Sequence, residues 1–178
     1  MDYLSIIHNN EFLAEKLDSL CDFHLNASLC KLDEEYMYAN STFIVFGTDS
    51  SEGEFGFIGD GDISELSIGY SSPDGETGRI ANNLSEFFHL IVFYPFWHDL
   101  CYKDYTSSEK KIKSFEESYI EEMAELDIAY HEVQNYISEI LQLDADTYHL
   151  SNFYIALTQE PKFITYTVDE DCPSTNLL

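Results

Sequence analysis

Between Phe43 and Gly75 the chain reads FIVFGTDSSEGEFGFIGDGDISELSIGYSSPDG, short apolar or aromatic runs separated by turns rich in Asp, Glu, Gly and Ser. The gaps between the runs are the constraint. A parallel connection needs a crossover of about a dozen residues or more, and neither 48–52 nor 60–65 can supply one. The runs at 43–47, 53–59 and 66–70 therefore predict adjacent antiparallel strands. Phe55 and Phe57 alternate with Glu54, Gly56 and Ile58, and Leu66, Ile68 and Tyr70 alternate with small residues. Gly47, Gly53, Gly59, Gly61 and Gly75 mark the turns.

A sheet that is apolar on one face must be covered, and the next segment supplies the cover. In NNLSEFFHLIVFYP, Asn83 can cap the first turn with Glu86 at the capping-box position. Leu84, Phe87, Phe88, Ile91 and Val92 form a broad apolar stripe, and Pro95 ends the helix. The expected fold is α+β, a largely antiparallel sheet covered by helices. Phe43, Val45, Phe46, Phe57, Ile68, Leu84, Phe87, Phe88 and Ile91 are the expected core.

Elsewhere the period is helical. Leu13, Leu17 and Leu20 predict a helix over about 10–22, capped by Asn9 or Asn10. Residues 24–42 show little period, and Tyr36, Met37 and Tyr38 read as a packed connection. From Ser107, apolar residues recur by threes and fours (Ile112, Phe115, Tyr119, Met123, Leu126, Tyr130, Val133, Ile137, Ile140) and run up to Leu143. This is the additional acidic helical region, too long for one helix in a compact domain, with a break expected between Tyr119 and Met123. Its outer face carries Glu117, Glu121 and Glu125, like charges four apart that repel. A last helix is expected over about 147–158, ended by Pro161, with FITYTV as an edge strand.

Charge narrows the partners. The 178 residues carry 34 acidic and 8 basic side chains, a formal net charge of -26. Residues 32–78 hold 11 acids and no Lys or Arg, and residues 114–161 again hold 11 and none. Such a surface repels nucleic-acid phosphates and anionic membrane and steers a basic protein toward itself. Halophilic adaptation also produces acidic surfaces, although the Ile, Phe and Tyr content does not favour it. The apolar run LIVFYPFW is too short to span a bilayer. Four cysteines without CxxC spacing and no basic-apolar leader predict a reduced, cytoplasmic protein, and the length fits one domain.

No catalytic motif emerges. Starting an EF-hand loop at Asp49 puts Gly53 at position 5, Glu54 at position 6 and Asp60 at position 12, whereas the loop needs Gly at 6 and Glu at 12. GDG and DGETG are turns, not phosphate loops. The six histidines form no HExxH, and Ser71 and Ser72 lack the flanking glycines of a nucleophile elbow. No cofactor is implied. The remaining enzymatic reading is a carboxylate-based metal-dependent enzyme in which Asp49, Glu52, Asp60 and Asp62 meet across adjacent turns. Arg79, the one arginine, is expected to pair with Glu76 or another carboxylate. Tyr94, Phe96 and Trp97, just past the helix, are open to both core packing and partner contact, with Trp97 taken as the candidate anchor.

Phe46, Gly47, Asp49, Gly53, Glu54, Phe55 and Phe57, followed by Leu84, Ser85, Glu86, Phe87 and Phe88, resemble in order the pattern of the SUKH superfamily, which contains many bacterial toxin-immunity proteins and relatives of a fungal cell-wall-synthesis regulator. The similarity spans about residues 43–94 of a single domain. Asp33 replaces the proline of the family's Leu-Pro-x-x-Tyr segment, Asn40-Ser41 replaces its glycine pair, and the helical part over about 107–160 diverges. The resemblance implies an α+β domain that binds and blocks a toxin without catalysis. Together with the charge it points to a basic toxin such as a nuclease. Asp49, Glu52, Glu54, Asp60, Asp62 and Glu76 are the expected sheet-side contacts, and Glu117, Glu121 and Glu125 a second patch. A non-inhibitory structural adaptor is the other non-enzymatic reading.

Overall fold

The computed structural model describes residues 1–32, 37–101, 109–168 and 172–177. The chain begins with helices α1 (Tyr3–His8) and α2 (Glu11–Cys21), then strands β1 (His24–Lys31), β2 (Met37–Ala39), β3 (Phe43–Thr48), β4 (Glu54–Ile58), β5 (Ser67–Ser71) and β6 (Glu76–Ala81). Helices α3 (Leu84–Phe93), α4 (Trp97–Cys101), α5 (Glu109–Ala124) and α6 (Ile128–Leu141) follow. A 3-10 turn at Ala145–Thr147 leads to α7 (Leu150–Thr158), and β7 (Thr165–Thr167), β8 (Cys172–Pro173) and β9 (Thr175–Asn176) close the chain.

The fold is α+β. Six strands form a sheet in the order β1-β3-β4-β5-β6-β9, antiparallel at every pairing except the short parallel β6–β9 contact. As the short gaps require, β3 to β5 are joined by hairpins, with Phe57 opposite Ile44 and Ile68, and β6, not expected as a strand, adds a further hairpin with Tyr70 opposite Gly78. Alternation then sorts the side chains. Phe46, Phe55, Phe57 and Tyr70 enter the main core under the helices, while Phe43, Val45 and Ile58 join Leu32 and Phe163 in a second cluster on the other face.

At the centre of the main core, the Phe23 ring lies 5.5 Å from Phe87, 5.7 Å from Phe55 and 5.8 Å from Phe88. Of the residues expected in the core, all are buried except Leu84, which is half-buried. Asn83 accepts the Glu86 amide at 2.9 Å, and Glu86 returns a carboxylate to the Asn82 amide at 3.1 Å. Both halves of the capping box are thus present, displaced by one residue at the returning contact.

Several expectations need correction. Residues 24–42 include two strands, and β1 is the edge of the main sheet, bulged between Leu25 and Cys30. Mixed polar and apolar residues there follow from an exposed edge, which lacks a clean alternation. Asp33 and Tyr36 lie outside the described residues, as does the expected helix start near Ser107. The helical break falls between Ala124 and Ile128, later than expected, because the Asp127 carboxylate accepts the Ala129 amide at 2.6 Å and caps a new helix. Tyr119 and Met123 instead stay in one helix and are buried together. FITYTV yields only β7, which is the middle strand of a separate sheet ordered β2-β7-β8 rather than an edge. Among the described residues, no helix is long and apolar enough to cross a membrane.

Candidate protein-binding interface

Hairpin geometry divides the sheet-side acids into two groups. The β3–β4 turn carries Asp49 and Glu52. Glu54 begins β4 opposite Ser71, and Ser71 lies opposite Thr77, so Glu76 belongs to the same end of the sheet. Asp60 and Asp62 sit in the β4–β5 loop at the opposite end. Five residues of β4 separate the groups, which at about 3.3 Å per residue is roughly 15 Å. Asp49, Glu52, Asp60 and Asp62 therefore cannot enclose one ion, and the four-carboxylate metal site is not formed.

Asp49 is a structural residue, 6 % exposed. Its carboxylate accepts the Tyr70 hydroxyl at 2.7 Å, the Gly53 amide at 2.7 Å, and the Ser51 amide and hydroxyl at 3.0 and 2.7 Å. Burial opposes its ionisation, but these hydrogen bonds outweigh burial and hold its pKa below the usual carboxylate value. Burial and the adjacent carboxylate push the Tyr70 phenol well up. Gly53 makes this closeness possible, since a Cβ there would overlap the Tyr70 hydroxyl and stand 2.6 Å from the Asp49 carboxylate. Instead of offering its charge to a partner, Asp49 pins the turn that displays Glu52.

Glu52 is exposed, at a left-handed φ of 69°. Glu54 and Glu76 are half-buried at their strand starts, and Asp60 and Asp62 are fully on the surface. Asp62 accepts the Ser64 amide at 2.9 Å and hydroxyl at 2.8 Å, bonds that lower its pKa. Glu117, Glu121 and Glu125 are all exposed along α5 and the turn after it. On the inner side of that helix, Glu116 accepts the Tyr94 hydroxyl at 2.7 Å and the Leu150 amide at 3.0 Å, fastening α5 to α3 and α7.

Trp97 is not an exposed anchor. It is 1 % exposed, with its ring 5.2 Å from Tyr70 and 5.9 Å from Phe153. The first turn of α4 directs the indole inward, where it fills the end of the main core and removes a large apolar surface from water. Its neighbour Phe96 is 51 % exposed instead, and Tyr94 is buried. Of the carboxylates open to Arg79, Glu160 acts on the guanidinium through its charge, and Glu76 does not pair with it. Three residues apart on one strand, Glu76 and Arg79 face opposite sides of the sheet, and the guanidinium donates to the carbonyls of Gln159 and Pro161, both at 3.3 Å.

Two features at the Asp49 end were not anticipated. His98 lies against the Tyr70 ring at 5.0 Å. Burial lowers its pKa, although Asp49, Asp22, Asp99 and Glu76 pull the other way. Asp18, Asp22 and His24 form an exposed group with ligand atoms within 4.8 Å of one another, the one such cluster among the described residues. Asp18 meets His24 at 2.9 Å, and Asp22 accepts the Ser50 amide and hydroxyl at 3.0 and 2.9 Å. These are local caps joining α2, β1 and the β3–β4 turn. Asp22 at the end of a helical pattern was the available signal. Compared with family models, curated proteins and solved structures, the chain shows no significant match.

Proposed function

We propose that this protein is an immunity protein that binds a basic toxin, such as a nuclease, in the cytoplasm and neutralises it. The carrying observation is the placement of the acids: Glu52, Asp60, Asp62, Glu117, Glu121 and Glu125 all reach solvent on separate turns and on one helix, in a chain of net charge -26. Carboxylates displayed in this way can occupy the cationic positions of a nucleic-acid-binding protein that phosphates otherwise fill. The resemblance of residues 43–94 to the SUKH superfamily supports the same reading.

The test is co-purification from the native cell, followed by an activity assay of the recovered partner with and without this chain. Stoichiometric inhibition of one toxin, with no effect on a related one, is the expected result, because specificity requires matched contacts beyond charge. Replacing Glu52, Asp60 and Asp62 together by Lys should slow association and flatten its ionic-strength dependence. A stable partner whose activity is unchanged would indicate an adaptor. Recovery of generic basic proteins alone, all released by modest salt and none inhibited, would sink the immunity reading.

A further inference from the structure

The Asp60 and Asp62 end of the sheet is hollow. A groove of about 740 Å³ opens between the β4–β5 loop, the start of α1 and the turn leading into α3. This volume lies in the range that holds a ligand larger than one side chain. Its apolar side chains are Met1, Leu4, Ile63 and Leu84; Met1 and Ile63 are exposed and the other two are half-buried. Several polar groups in the wall already have partners. The Tyr3 hydroxyl donates to Ser85 at 3.1 Å, Asn83 caps α3, and Asp2 accepts the Ser5 amide at 3.2 Å and hydroxyl at 2.6 Å. What the groove offers an incoming group is therefore a mixed wall, with Ile63 and Leu84 as apolar contacts beside the polar groups of Ser64, Glu65 and Asn82. Its margin is net anionic: Asp2 and Glu65 line it and Asp60 and Asp62 stand on the same loop as Ile63, against the Met1 amino group, and among the described residues no Lys or Arg side chain contributes to the lining.

We infer that this groove is the specificity pocket of the interface, taking from the basic partner an exposed segment in which an apolar side chain is flanked by Lys or Arg. The inference rests on the proposed binding of a basic protein and names the place and chemistry of contact. The apolar residue seats on Ile63 and Leu84. The flanking cations meet Glu65, Asp62 and Asp60 at the margin. An interface centre that is apolar with a charged rim is the arrangement in which a few anchors dominate affinity.

The experiment uses the full chain and three synthetic probes followed by amide NMR: acetyl-Lys-Leu-Arg-Leu-Lys-amide, the same peptide with Gly for Leu, and the same peptide with Ser for each cation. The first should give saturable shifts concentrated at residues 2–4, 63–65 and 82–85, with the two controls binding at least about tenfold more weakly. Ile63→Lys combined with Glu65→Lys should abolish that localised response. Both sites are exposed loop positions, and an unchanged melting temperature verifies the fold. Equal, diffuse shifts at every acidic surface from both cationic peptides would overturn the groove while leaving a charge-steered toxin partner intact. A recovered toxin still bound with full affinity by the double variant would overturn it as well. A partner lost on Glu117, Glu121 and Glu125 reversal but indifferent to the groove variants would move the site to α5.

Discussion

Asp49 shows how one side chain can look like a binding group and serve as a fastener. Four donors converge on it in a nearly dry site, and an unpaired buried polar group costs about 1–3 kcal/mol. Asp49→Ala would take away the acceptor of the Tyr70 hydroxyl and of the Gly53 and Ser51 amides, and a loss of that size is expected in urea unfolding. Gly53→Ala should cost about 1–3 kcal/mol by overpacking against the same hydroxyl; a neutral result would remove the clamp. His98 predicts a pH effect of definite sign. Its folded pKa lies below the unfolded value of 6.5, so the unfolded chain binds the extra proton. The contribution is complete above pH 6.5 and is lost as pH falls toward the folded pKa. General protonation of a strongly acidic protein relieves repulsion in the opposite direction, so the measurement is a difference. Between pH 7.5 and 5.5, wild type should lose stability relative to His98→Gln, and parallel pH curves would show that His98 does not contribute.

Among the elements, α5 is electrostatically inverted. Lys110, Lys111 and Lys113 lie in its first half, while Glu121 and Glu122 lie near its end. The macrodipole favours the reverse, by about 0.3–1 kcal/mol for each exposed charge near a terminus. The helix is held by the burial of Tyr119 and Met123 and by Glu116. Glu121→Gln with Glu122→Gln should therefore raise the melting temperature, and should weaken attraction to a cationic partner if α5 contributes to binding. A lower melting temperature would mean that these acids have stabilising partners of their own. The helices α2 and α3 were legible because local stripes and caps coincide there. The strands β1 and β2 were not, since an exposed bulged edge and a three-residue strand leave too few alternations to register. The α5–α6 break depended on a single capping carboxylate, which no apolar period reveals.

For the whole molecule, the net charge of -26 makes compaction costly and salt-dependent. Raising monovalent salt from about 0.01 M to 0.3 M shortens the screening length several-fold, and the melting temperature should climb over that range; a flat response would mean that the acids are locally compensated. Phe87→Ala at the junction of sheet and helices should cost about 3–5 kcal/mol, read by the same melts. Short gaps, periodicity and net charge are local or additive properties, so the hairpin order of β3 to β5, the helix that covers them and the sign of the surface could be read from the residues, whereas β6 could not. Tertiary structure alone decided that Trp97 and Asp49 are interior while Phe96 is exposed, that the four loop acids separate to opposite ends of β4, and that a groove opens beside Ile63. Those outcomes depend on which way a turn directs a side chain and on what distant segments, α1 and α7 among them, bring against it.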